Sequence, residues 1–157
     1  MNILATQYTL ENKALEVYLA GCKGNPHCEG CHNPESWSFS IGRKYDETYF
    51  FEINKKIVEF NSLIENIMIF GGEPFDQDII ELQNLVHDLS KLHRKLWVFT
   101  RFGLSTLFQK IPRELIESFD YIKCGRYIKE LATDSKFQYG IKIATSNQHI
   151  YKKGIDY

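Results

Sequence analysis

No stretch of this sequence approaches the roughly 18 uninterrupted apolar residues of a membrane-spanning helix. Its opening segment, MNILATQYTLENKALEVYLAGC, lacks a basic stretch followed by a long apolar run. Both absences argue against a membrane span and an export signal, so a soluble, cytoplasmic protein is expected. Charge of one sign is also missing. The 19 Lys and Arg nearly cancel the 20 Asp and Glu, and the net charge of −1 supplies no general attraction to nucleic acid or to an anionic membrane. Neither internal repeats nor low-complexity segments occur, and 157 residues are too few for a complete eight-unit barrel. One compact domain is expected, whose partners must be recognised at specific sites.

Cysteine is scarce as well, with four in the chain, yet three of them fall within GCKGNPHCEGCHNPESW, residues 21–37. In a reducing compartment such a cluster is more often a metal site or a redox device than a disulfide framework.

The rest of the chain reads as alternating strands and helices. LEVYLA, residues 15–20, is a strand that delivers its C-terminal end to Gly21 and Cys22. From Glu47 to Ile64 the spacing of Phe50, Ile53, Ile57, Phe60 and Ile64 predicts a helix with one buried face. Ile67 to Phe70 form a short apolar run typical of a strand covered on both faces, and Gly71 and Gly72 interrupt it. A second helix carries Ile79, Leu82, Leu85, Val86, Leu89 and Leu92 on one stripe, with Asp76 as its expected cap. LWVFT (96–100) reads as a strand, LSTLFQKI as a short helix ending before Pro112, FDYIK (119–123) as a strand, and the stretch from Ile141 to Tyr151 as one more. Strand–helix alternation implies a parallel sheet with right-handed crossovers. Ligands then belong at the C-terminal strand ends, where Cys22, Gly71 and Thr100 all fall.

Four chemistries suit the cysteine cluster. Cys28-Glu-Gly-Cys31-His32 has the spacing of covalent haem attachment, but without an export signal. A structural zinc site would use Cys22, Cys28, Cys31 and either His27 or His32. A thiol–disulfide couple would need only Cys28 and Cys31. Three thiolates can also hold three irons of a [4Fe–4S] cluster and leave the fourth open to a ligand. Gly71-Gly72-Glu73-Pro74 bears on the choice. Paired glycines at a strand end let a ligand approach the backbone, while Glu73 and the backbone carbonyls offer acceptors to an ammonium group. Alone, the tetrapeptide also reads as an ordinary strand-to-helix turn.

Taken together, these motifs resemble the radical S-adenosylmethionine enzymes, in which a three-cysteine loop follows the first strand and a GGEP-like segment the second. Within that superfamily, Cys31-His32-Asn33-Pro34-Glu35-Ser36-Trp37 is similar to the segment after the last cysteine of glycyl-radical-enzyme activases. WVFTRF (97–102), CGRYIKEL (124–131) and SNQHI (146–150) resemble stretches of the small activases that serve anaerobic (class III) ribonucleotide reductase. The likeness runs in order from Gly21 to Ile150. Two features depart from it. The usual motif has three residues between its first two cysteines, whereas Lys23, Gly24, Asn25, Pro26 and His27 stand here; a short loop insertion costs little, so cluster binding should survive. Cys124 occupies a position where an acidic residue is expected, and reads as a small buried strand residue.

The resemblance implies an α/β fold, a single radical S-adenosylmethionine domain over residues 1–157, built as an open partial (β/α) barrel of about five to six mostly parallel strands. It implies that Cys22, Cys28 and Cys31 ligate a [4Fe–4S] cluster whose open iron takes the amine and carboxylate of S-adenosyl-L-methionine. Gly71, Gly72, Glu73 and Pro74 would hold the methionyl amine, Asn33 and His32 would border the adenosyl group, and Thr100 would reach the ribose or carboxylate beside Arg101. No side-chain acid or base is implied beyond cluster and cofactor. The implied partners are the large subunit of anaerobic ribonucleotide reductase, presenting its glycyl-radical loop, and flavodoxin or ferredoxin as electron donor. A small-molecule enzyme such as a deazapurine synthase, or a zinc-binding adaptor, is the alternative.

Overall fold

The computed structural model describes all 157 residues, Met1 to Tyr157. The chain runs through β1 (Asn2–Thr9), β2 (Ala14–Leu19), β3 (Arg43–Lys44), α1 (Glu47–Glu59), β4 (Asn66–Gly71), α2 (Ile79–Ser90) and β5 (Lys95–Phe99). It continues through α3 (Leu104–Lys110), α4 (Arg113–Ile116), β6 (Tyr121–Cys124), β7 (Phe137–Gln138), β8 (Ile141–Lys142) and β9 (His149–Lys152). A 7-stranded sheet has the order β3-β1-β2-β4-β5-β6-β9, and β7 and β8 form a separate 2-stranded ribbon.

The expected parallel sheet is present at the centre, where β2 pairs with β4, β4 with β5 and β5 with β6, all parallel. Its flanks differ from the expectation. β1 pairs antiparallel with β2, and β9 pairs antiparallel with β6. The molecule is therefore a mixed α/β structure whose sheet stays open, with β3 and β9 as its edges. The alternating sequence of β1 hides its role: Leu4, Thr6 and Tyr8 are only half-covered, because an edge-side strand needs one buried face at most.

Period-two alternation assigns the two faces of the sheet. Leu15, Val17, Leu19, Ile67, Ile69, Leu96, Val98, Ile122 and Cys124 point into the main core. There they meet Tyr49, Ile53 and Ile57 of α1, Leu82, Leu85, Val86 and Leu89 of α2, and Leu115 and Ile116 of α4. Ala14, Met68, Trp97 and Tyr121 point the other way and pack with Ile143 and Ile150 of the C-terminal segment. One face is thus sealed by helices, and the other only in part.

Two helix details correct the sequence reading. α1 ends at Glu59 and a 3-10 turn over Asn61–Leu63 replaces the expected last turn, which lets buried Ile64 drop into the core. Asn and Ser compete with the helix through their own side chains, which favours this break. Its buried stripe is Tyr49, Ile53 and Ile57, not one that includes Phe50. α2 is capped by Asp78, whose carboxylate accepts from the Ile80 and Glu81 amides at 3.0 and 3.1 Å, so Asp76 is free for another task.

Candidate cluster and cofactor site

Cys22, Cys28 and Cys31 line one cavity with Gly71, Gly72 and Glu73, at the C-terminal ends of the parallel strands. Asn33, His32, Thr100, Arg101 and Lys123 face the same cavity. The turn after β4 and the loop after β2 meet there because the two strands are parallel neighbours whose register brings Leu19 beside Gly71.

The turn is held by backbone. Gly72 N–H donates to Leu19 O and Glu73 N–H to Gly21 O, both at 2.8 Å. These bonds leave no space for side chains. A Cβ on Gly71, whose φ is +103°, would lie 2.2 Å from Leu19 O, and one on Gly72 would lie 2.0 Å from Gly21 O. The close crossing of two chain segments requires glycine at both positions, in addition to the approach of a ligand expected from the sequence. Pro74 starts a buried 3-10 turn and does not reach the cavity.

Glu73 is 1% exposed. Its Oε1 accepts from the Thr100 hydroxyl at 2.7 Å and the Phe75 amide at 3.2 Å, and its Oε2 from the Arg101 amide at 2.8 Å. Burial pushes its carboxyl up to about 7 against the pull of these donors. With three donors in place, Glu73 braces β4 to β5 and leaves little capacity for an incoming ammonium. Thr100 is similarly engaged, since its hydroxyl also accepts from Phe102 N–H at 3.1 Å.

Asp76 and Gln77, which the sequence reading did not place in the site, fasten the cysteine loop to this turn. Asp76 accepts from Lys23 N–H at 2.6 Å and takes the Arg101 guanidinium on both oxygens at 2.8 and 2.7 Å. The Gln77 amide donates to Ala20 O and Gly21 O at 3.1 Å and to Glu73 O at 3.2 Å. Their only signal in the sequence is position, directly after Gly71–Pro74.

The cysteine loop itself is stitched by distant residues. Cys22 N–H donates to Trp37 O at 3.0 Å, and the His27 ring stacks on Trp37 at 4.0 Å with Nε2 3.1 Å from Cys22 O. Arg126 donates to Pro26 O and His27 O at 2.9 and 2.8 Å, so the residues that lengthen the loop are held from beyond β6. Tyr127 meets the His32 ring edge-on at 5.4 Å. Asn33 supplies its carbonyl to Ser36 N–H and Oγ at the start of the Pro34–Trp37 turn.

All four cysteines are free thiols. Cys22, Cys28 and Cys31 are half-exposed in the cavity, whereas Cys124 points into the helical side of the sheet, where burial pushes its thiol up to about 12. Burial also raises Cys22, while the Gly24 amide and the Arg101 guanidinium beside it act in the opposite direction. Arg101 Nε is buried and makes no hydrogen bond, lying 3.9 Å from the carboxylate of Glu73. A buried donor without an acceptor is costly, and an anionic sulfur centre in the cavity would satisfy it. No three His, Cys, Asp or Glu side chains converge closely enough to hold one metal ion. A four-iron cube spreads its cysteine sulfurs more widely than a single ion does, so three thiols arrayed around a cavity fit the cluster in kind and number.

Comparison with known proteins points the same way. A family model described as a 4Fe-4S single cluster domain matches residues 13–151. The anaerobic ribonucleoside-triphosphate reductase-activating protein of Haemophilus influenzae is 25% identical over 147 residues, spanning 90% of this chain and 89% of its own length. That of Pasteurella multocida is 24% identical over 148 residues, with the same coverage, 90% and 89%. The protein of that name from Vibrio cholerae is 23% identical over 119 residues, 74% of this chain and 75% of its own.

Proposed function

The chain belongs to the family of 4Fe-4S single cluster domains, and from that premise we propose that it is a glycyl-radical activase for an anaerobic ribonucleotide reductase. The observation that carries this reading is the convergence of Cys22, Cys28 and Cys31 with Gly71 and Gly72 on one cavity at the C-terminal edge of a parallel sheet. The names of the matched relatives supply the target.

In this reading Cys22, Cys28 and Cys31 hold a [4Fe–4S] cluster, and S-adenosyl-L-methionine binds beside it. When bound, the cluster supplies the single electron for reductive cleavage of the cofactor, which ends in removal of a hydrogen atom from a glycine of the partner. This chain's own residues position and shield. The backbone carbonyls of Gly71 and Gly72 are acceptors for the methionyl ammonium, Glu73 and Thr100 keep that turn rigid, and Asn33 and His32 border the adenosyl side. Arg101, clamped by Asp76 and with its Nε 3.9 Å from Glu73 Oε2, lines the cavity beside the cysteines and stabilises the anionic centre through its charge. The open sheet leaves the cavity uncovered, so a macromolecular substrate that closes over it is favoured over a small molecule. Flavodoxin or ferredoxin is the proposed electron donor.

The test is electron paramagnetic resonance of reconstituted protein mixed with an anaerobic ribonucleotide reductase, S-adenosyl-L-methionine and reductant, without oxygen. A glycyl-type doublet should appear and vanish when the glycine of the reductase loop is changed to alanine. Rapid cofactor consumption with a purine-like small molecule and no partner would refute the activase reading.

A further inference from the structure

Two cations face the cavity, Arg101 and Lys123. The sequence suggests Arg101, next to Thr100, as the partner for a cofactor carboxylate, but its guanidinium is already bound by both oxygens of Asp76. Lys123 is different. It lies inside β6 between Ile122 and Cys124, where strand alternation turns it away from the helices and toward the open face with Tyr121. Parallel pairing sets it beside Phe99, and its carbonyl accepts from Thr100 N–H at 2.9 Å, which fixes its backbone at the cavity rim.

The ammonium of Lys123 has no hydrogen bond or ion pair. Burial pulls it down to about 8, while Cys124, Glu73 and Cys28 act on it only through space. Lys123 is half-buried and lines the cavity, so its unpaired ammonium is open to an anionic group that a ligand would bring. The carboxylate of Glu73 cannot supply it, being committed to Thr100, Phe75 and Arg101. The cavity is therefore lined by the backbone of Gly71 and Gly72, which can supply carbonyl acceptors, and by a cation at Lys123 that no side chain neutralises. An α-amino acid group needs this pairing, an acceptor for its ammonium and a cation for its carboxylate.

We infer that Lys123 is the residue that binds the carboxylate of the methionyl group in this cavity. The inference rests on the reading that S-adenosyl-L-methionine is the cofactor, and the experiment separates the two. Calorimetric titration of cluster-loaded wild-type, Lys123→Met and Lys123→Arg protein is carried out with S-adenosyl-L-methionine and with its decarboxylated analogue. Iron analysis normalises each variant to its loaded fraction. Wild-type protein should favour the carboxylate-bearing ligand, Lys123→Met should lose about tenfold of that preference, and Lys123→Arg should keep most of it. The affinity of Lys123→Met for the decarboxylated analogue should match that of wild type. A Lys123→Met protein that keeps the full preference, or that weakens both ligands equally, overturns the assignment. If wild-type protein binds neither ligand, the cofactor reading itself fails.

Discussion

The two walls of the cavity are built on opposite principles. The turn at Gly71–Gln77 is held by a dense, buried network: backbone bonds to Leu19 and Gly21, a buried Glu73 with three donors, and Gln77 bridging three carbonyls. The cysteine loop at Cys22–Cys31 has no regular structure and is tied down from outside, by Trp37, by Asp76 and by Arg126 some hundred positions away. A wall that must keep one shape is over-determined, whereas the wall proposed to wrap a cluster keeps its three cysteines as free thiols. The contrast shows where rigidity and where adaptability are placed.

The largest effect should come from the loop's three proposed cluster ligands. Cys22→Ala, Cys28→Ala and Cys31→Ala should each abolish the cluster formed by anaerobic reconstitution, read as iron and acid-labile sulfide. Cys124→Ala should retain it, because that thiol lies on the other face of the sheet and burial keeps it protonated. Loss of cluster in Cys124→Ala with retention in Cys22→Ala would invert the assignment.

Next in size is Gly72→Val, which strikes both walls at once because its Cβ would collide with Gly21 O, next to Cys22. A loss of at least about 3 kcal/mol in chemical denaturation is expected, together with reduced iron uptake. A variant that folded normally and lost only cofactor affinity would show that the glycine serves the ligand and not the chain crossing.

Glu73→Gln tests the rigid wall alone. The folded-state pKa of about 7 lies above the ordinary 4.5, so between these values the folded protein keeps a proton that the unfolded chain has released. This contribution makes stability fall as pH rises from about 4.5 to about 7, by up to about 1.4 kcal/mol per pH unit where it is steepest. The difference between wild type and Glu73→Gln in denaturation midpoint across that window should carry this slope. A flat difference would show that the donors around Glu73 outweigh its burial.

The smallest effect is expected from Arg126→Ala, which removes two bonds to the loop carbonyls of Pro26 and His27 without touching the turn. A cost of about 1 kcal/mol to the closed loop should speed chelator-driven loss of iron about fivefold while the pH slope of Glu73 stays unchanged. Equal rates in wild type and variant would mean that Trp37 and Asp76 suffice to hold the lengthened loop.

How much of this is written locally can be judged from single residues. The apolar runs at Ile67–Ile69 and Leu96–Val98 announce central strands because a strand buried on both faces tends to be continuously apolar, whereas at Leu15–Leu19 the strand is marked by β-favouring residues around a buried Glu16. The cysteine spacing and the glycine pair mark the two walls because ligand chemistry and chain crossing both restrict residue type. Local pattern could not reveal that β1 flanks β2 antiparallel, that Asp76 braces the site while Asp78 caps the helix, or that Arg126 reaches back to Pro26. Each depends on a pairing between segments distant in sequence, and a polar side chain reads the same whether its partner is water or protein. Lys123 shows the division most clearly. The sequence places a lysine in a strand, and only tertiary structure decides that this strand ends at the cavity, that the lysine faces it, and that Arg101, its rival for an anion, is already paired.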